Sequence, residues 1–333
     1  MPFLAAAFSF AAPVASASAL AAFVSFLGQP PIVSACYALG LSILLLGLIV
    51  AFRRDMPRAR GLDKFLCLGP VFFAAPLAVF AGEHFTIARD MAGMVPPWIP
   101  WHLFWVFFVG LCLVAAALSL AAGRVAGLAA ALLGVMFSGF VALMDVPYGV
   151  VAHPHDRFAW ILMLRELTFG LCAFAFASTL AGARWRTAGE TLATAARIGV
   201  GAVLIFYGVE QFVHPQFVPV IPLELPLPAY LPVHALITCG VGAAEVVAGA
   251  AMIANRYARL AATWLGIVIC AVVLLVYGPI LASKFSDVGT NLNYFADTLF
   301  FGGGILLLAG SIPPEQRARA AATVPAAARF EPS

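Results

Sequence analysis

The sequence predicts an all-α integral membrane protein with about ten transmembrane helices, arranged as two parallel four-helix repeats behind two further N-terminal helices. Three observations predict it. The 333 residues are 63% hydrophobic and only 10% charged, with a mean hydropathy of +1.02, far outside soluble composition. Apolar stretches of about 20 residues recur along almost the whole chain, each long enough to cross roughly 30 Å of hydrocarbon as helix. A segment near residue 100 also reappears near residue 232 in the same register, which marks an internal repeat.

Taken in order, spans are expected near 3–27, 32–52, 65–85, 101–121, 125–145, 158–181, 197–214, 233–254, 259–281 and 293–312. The first, interrupted by Pro13, lacks a basic leader and reads as an uncleaved span rather than a secretory signal. These spans divide into two N-terminal helices with a basic loop (1–64), a first four-helix unit (65–186), a second (187–312) and an Ala, Arg and Pro-rich tail expected to be disordered (313–333). Connections of at most about 18 residues leave no room for a soluble catalytic, nucleotide-binding or nucleic-acid-binding domain.

Charge sets the expected orientation. Of 18 Lys and Arg, 14 fall in loops on one side or in the tail, among them Arg53, Arg54, Arg58, Arg60, Lys64, Arg124, Arg186 and Arg256. Only Arg89, Arg157 and Lys284 fall in the opposite loops, and Arg165 lies inside a span. The positive-inside rule then places both termini in the cytoplasm of a cell with this protein in its inner membrane. The net charge of +3 follows from that loop bias and predicts a lipid bilayer rather than a nucleic acid as partner.

The repeat is anchored by polar and glycine positions. Ile99-Pro100-Trp101-His102 matches Leu231-Pro232-Val233-His234, and the register continues through Gly110 and Gly242, Arg124 and Arg256, Gly134 and Gly266, and Pro147 and Pro279. Upstream, Glu83-His84-Phe85 matches Glu210-Gln211-Phe212, and downstream Glu166 and Asp297 fall at similar depths in the fourth span of each unit. Each unit has an even number of spans, so the two share one orientation.

Gly208-Val-Glu210-Gln-Phe212, the Pro-rich outer loop ending Tyr230-Leu-Pro232, Gly242-Ala-Ala-Glu245-Val-Val-Ala-Gly249 and Arg256-Tyr-Ala-Arg259 together resemble the DoxX-like family of four-helix membrane proteins. The resemblance covers residues 65 to 312 as two copies. It implies a histidine before the Phe closing the first helix, kept as His84 but replaced by Gln211, and a glutamate in the second helix, kept as Glu245 but replaced by Leu113. It also implies membrane subunits of quinone-linked oxidation of sulfur compounds, with quinone as the cofactor and a soluble or membrane redox partner.

The candidate polar site follows from the cost of ionisable residues in hydrocarbon, about 2.5–3.5 kcal/mol each, which calls for partners, water or a function. In the second unit these are Glu245, Glu210, His234 and Asp297; in the first they are Glu83, His84, Arg165 and Glu166. Arg165 is expected to pair across helices with Glu83, Asp145 or Glu166, although adjacent Arg165 and Glu166 point about 100° apart and are expected to serve different neighbours. Glu210, Glu245 and Asp297 have no Arg or Lys inside their spans, which leaves these acids to His214, His234, a proton or a bound cation. Glu245 stands 12 residues into its span, near the midplane.

Several sharper readings are weaker. No HxxxH or ExxH stands on a helix, so no metal is assigned, and haem would need histidines facing one another at depth. Cys36, Cys67, Cys112, Cys172, Cys239 and Cys270 form no CxxC pair and read as buried thiols. Trp98, Trp101, Trp105, Trp160, Tyr148 and Tyr230 form an interfacial belt, and Gly240-Val-Gly242 and Gly302-Gly-Gly304 serve close helix packing. Three function classes stay open: a quinone-linked redox subunit, a small-solute or proton-coupled transporter, and an assembly scaffold without catalysis. No catalytic residue is assigned.

Overall fold

The structure, a computed structural model, describes residues 28–182, 186–229, 231 and 233–314. The expected span 3–27 with Pro13, the belt residue Tyr230 and the tail from 315 onward lie outside these residues.

Nine helices among the described residues are long and apolar enough to cross a membrane, and no strand is present among them. We number them α1 (Pro31–Asp55), α2 (Asp63–Thr86), α3 (His102–Ala122), α4 (Ala126–Val150), α5 (Arg157–Thr179), α6 (Arg186–Val213), α7 (His234–Ile253), α8 (Ala258–Ser283) and α9 (Val288–Ser311). They match the nine expected spans from 32 onward. The chain is therefore a multi-pass, all-α membrane protein. The largest boundary difference is at α6, which begins at Arg186, eleven residues before the expected start. Of the added residues, RTAGETLATAA, the four Ala with Arg, Glu and Leu are good helix formers, and the segment stands largely exposed with an i,i+4 Arg186–Glu190 pair, so helix continues past the apolar stretch that a hydropathy window detects.

Local sequence sets several ends. Pro31 opens α1 at a position where its missing N–H is not needed, and the Asp156 carboxylate caps α5 by accepting from Phe158 N at 2.9 Å. Left-handed backbone precedes four helices, at Trp101, Val125, Val233 and Tyr257, and also occurs at Gly123 and Asn255. Members of each pair (Trp101 and Val233, Gly123 and Asn255, Val125 and Tyr257) stand 132 positions apart, the same separation as Arg165 and Asp297. Wide π-helical turns start in α4 at Val141 and in α8 at Val273, again at that separation.

Packing follows chain order and then closes. Helices α2 to α9 each pack on the next, α9 returns to pack on α2, and α5 also touches α9 across the ring; α1 lies outside against α2 and α3. The helix α9 is buried on every side from Ala296 to Ala309. At its centre Phe300 packs on Phe73 and Phe169, with ring centroids 4.1 and 4.2 Å away. Lipid is as apolar as these side chains, so shape rather than hydrophobicity holds the ring together. The crossing of α6 and α7 shows this most clearly. A Cβ on Gly208 would lie 2.5 Å from Gly242 O, and one on Gly249 would lie 2.5 Å from Gly201 O. Buried Gly302, Gly303 and Gly304 likewise serve close packing; Gly240 does not, since nothing lies within 4 Å of where its Cβ would stand.

Candidate functional site

The loops that join α1 to α2, α3 to α4, α5 to α6 and α7 to α8 define a basic end of the bundle, and the polar groups gather toward the far end. In α5, Ile161, Thr168, Phe169 and Cys172 are buried, a spacing that sends Arg165 toward the ring interior. Its guanidinium donates to Asp297 Oδ2 of α9 at 2.5 Å and to Glu166 Oε1 at 2.9 Å, and lies 6.0 Å from the Phe169 ring. The Asp297 side chain is 5% exposed, so its charge is matched almost wholly by Arg165. Two expectations are corrected here. Arg165 and Glu166 do meet, because the long guanidinium stem curls back across the 100° between them. Glu210 and Asp297 are also not left without cations, since Arg157 and Arg165 pair with them, whereas Glu245 has none.

Glu83 and His84 stand at the far end of α2. Glu83 is 8% exposed and accepts from Asn293 Nδ2 at 3.4 Å, within the electrostatic reach of Arg165 and Asp297. His84 Nδ1 lies 2.8 Å from Phe80 O and must be the protonated nitrogen, since a carbonyl only accepts. Asp145 stands on the π turn of α4, within electrostatic reach of Glu166 and Arg165. Its Oδ2, together with Arg165 Nε and Glu166 Oε2, is buried without a hydrogen-bond partner.

The remaining predicted residues surround a strap, the connection from His214 to Val233, which turns inward over α6 and α7. Val218, Val220 and Ile221 are fully buried, and Val220 takes φ +81° at the turn. Arg157 latches the strap: Nε meets Glu210 Oε2 at 2.5 Å, one terminal nitrogen donates to Pro222 O at 2.5 Å, and the other approaches Glu224 at 3.6 Å. His214 is a looser neighbour of Glu210 at 3.9 Å, and His234 Nε2 lies 2.8 Å from Pro228 O rather than in any ligand cluster. Beneath the strap, Glu245 is fully buried. Its Oε2 accepts from Gln211, whose own carbonyl oxygen accepts from Val220 N, while Oε1 has no partner. Tyr277 donates to Pro219 O of the strap and Tyr207 to Ile161 O of α5.

Two clusters therefore form. Arg165, Glu166, Asp297, Glu83 and Asp145 share one, Glu245 and Gln211 the other, and Glu210 and His234 belong to the latch and footing of the strap. No family model matches this chain, and no curated protein or solved structure does. Its function must be argued from these groups.

Sequence reasoning missed Arg157, which reads as an ordinary loop charge, and Tyr207 and Tyr277, which read as core. One signal was present. An offset of 132 residues carries Arg165 onto Asp297 and Asp145 onto Tyr277, and the first of these matches, oppositely charged, is the ion pair observed.

Proposed function

We propose that the chain is an inner-membrane protein of two parallel DoxX-like four-helix units, α2–α5 and α6–α9, whose far-end centre receives the headgroup of a lipid-soluble quinone on behalf of a redox partner. Three atoms of one charge cluster, Asp145 Oδ2, Arg165 Nε and Glu166 Oε2, are each buried without a hydrogen-bond partner, and this carries the reading. One fixed donor and two proton-accepting oxygens, buried and unpaired, suit a headgroup with carbonyl or hydroxyl oxygens. Asp145 stands on the π turn Val141–Val150, whose Leu143 and Val146 are exposed on the surface of the bundle. Such turns often mark functional sites.

A quinone supplies two-electron, two-proton chemistry when bound. The chain's own residues do the rest. Arg165 Nε donates to one oxygen of the headgroup, Asp297 and Glu166 Oε1 hold the guanidinium in that aim, and the carboxyls of Asp145 and Glu166 accept or return protons.

The repeat reading is supported by the 132-residue register of backbone turns and by packing that exchanges between units. Gly110 seats against His84 and Phe85, and Gly242 against Gly208 and Gln211. Gly134 meets Phe174 and Gly266 meets Leu306, partners that are themselves 132 apart. The first unit's α5 joins the second unit's α6, and the second unit's α9 joins the first unit's α2.

Solvent extraction of the purified protein is expected to release a quinone with its characteristic ultraviolet spectrum. Asp145→Asn with Glu166→Gln should retain about tenfold less, a loss of about 1.4 kcal/mol of binding, while the protein still elutes as a folded species. A second reading, proton-coupled transport of a small solute, is favoured by the buried, half-paired Glu245 under its strap. Quinone-free protein together with liposome uptake that Glu245→Gln abolishes would put that reading first.

Orientation follows from the loop charges. Reporters at Asp55, Arg186 and the C-terminus are expected to read cytoplasmic, and those at Ala92, Pro154 and Pro222 extracytoplasmic. An extracytoplasmic C-terminus would reverse the assignment and place the polar centre on the inner side.

A further inference from the structure

At the basic end, away from the polar centre, a cleft of about 130 Å³ opens between α1, α2, α3 and α5. Its throat is apolar, formed by Val71, Leu120, Ala121, Phe176 and Leu180. Its rim is Arg54 and Asp55 at the end of α1. Arg54 does not swing freely there. The Asp55 carboxylate takes its Nε and one terminal nitrogen at 2.9 and 3.1 Å, and the guanidinium lies across Gly123, where any Cβ would collide with it. Glycine at φ +64° is what lets Arg54 rest in this place.

The acids near this rim are already used, Asp55 by Arg54 and Asp63 by Arg259 at 2.8 Å. Among the described residues, Arg53, Arg58, Arg60, Lys64 and Arg124 have no counter-ion and stand exposed at this same basic end of the bundle. A narrow apolar throat beneath a rim of excess cations, at the level where helices leave the hydrocarbon, matches one molecule in both parts: an acyl chain below an anionic phosphate. We propose that this cleft is a binding site for an anionic phospholipid, with one acyl chain between Phe176 and Leu180 and the phosphate at the free edge of Arg54.

Thermal unfolding of the full-length protein in detergent tests this, with dioleoyl phosphatidylglycerol and dioleoyl phosphatidylcholine added separately. The glycerol lipid is expected to raise the melting temperature saturably, and the choline lipid is not. Arg54→Gln should weaken the apparent affinity at least tenfold by removing the phosphate contact. Leu180→Trp should do the same with every charge intact; Leu180 is 53% exposed at the lip, so the larger ring is accommodated without refolding the core. Native mass spectrometry would then find the lipid on the wild type and on neither variant. Equal shifts from both lipids, a shift that survives Leu180→Trp, or the same shift from inorganic phosphate alone would each overturn the proposal.

Discussion

Replacing Arg165 by methionine is expected to destabilise the protein by about 3–5 kcal/mol, the usual cost of removing one partner from a buried ion pair. Two carboxylates lose their cation at once, and Asp297, with 5% of its side chain exposed, has no water to turn to. Asp297→Asn should cost less, because Arg165 keeps Glu166. The triple change Arg165→Met, Asp297→Asn, Glu166→Gln should recover much of the loss, since no uncompensated charge is then left in the ring. Melting temperature in detergent and the fraction surviving gel filtration read all three. A stable Arg165→Met protein would show that the pair joins α5 and α9 only in name.

The second large effect is expected at the α6–α7 crossing. Overpacking a tight interior costs about 1–3 kcal/mol and occasionally more. At Gly208 and Gly249 the obstacle is a backbone carbonyl 2.5 Å from the new Cβ, which cannot rotate aside as a side chain would. Gly208→Val and Gly249→Val should therefore lie at or beyond the upper end of that range and yield little monodisperse protein. Gly240→Val, on the same helix as Gly249 but facing open space, should express and melt like the wild type within about 0.5 kcal/mol. If all three behave alike, helix propensity rather than the crossing sets the cost.

The spans were legible because hydrocarbon admits few alternatives: nearly every apolar run of the right length became a helix. The start of α6 was not, since the residues from Arg186 to Ala196 are helical without being apolar, and hydropathy is blind to propensity. Within the site, Glu83, Glu166, Asp297 and Glu245 were legible as costly residues in lipid. Their partners were not. Arg157 reaches Glu210 over a separation of 53 residues, and Gln211 reaches Glu245 over 34, distances that local patterning does not span. The inward turn of the strap was hidden for another reason, because its Val, Ile and Leu residues lie in a proline-rich stretch that reads as an ordinary surface connection.

The bond between Arg165 and Asp297 also has a consequence for biogenesis. The two residues are 132 positions apart, and at about 5–20 residues per second their syntheses are separated by roughly 7–26 s. Throughout that interval the newborn helices α2 to α5 sit in the bilayer with a guanidinium balanced only by its neighbour Glu166, and α2 has no cover on the side that α9 will fill. The ring can lock only when its last helix leaves the ribosome and slides between the first and the fourth. Insertion and folding are thereby separated in time, and a nascent chain that stalls before α9 leaves a charged, open seam for the membrane's quality-control proteases to read.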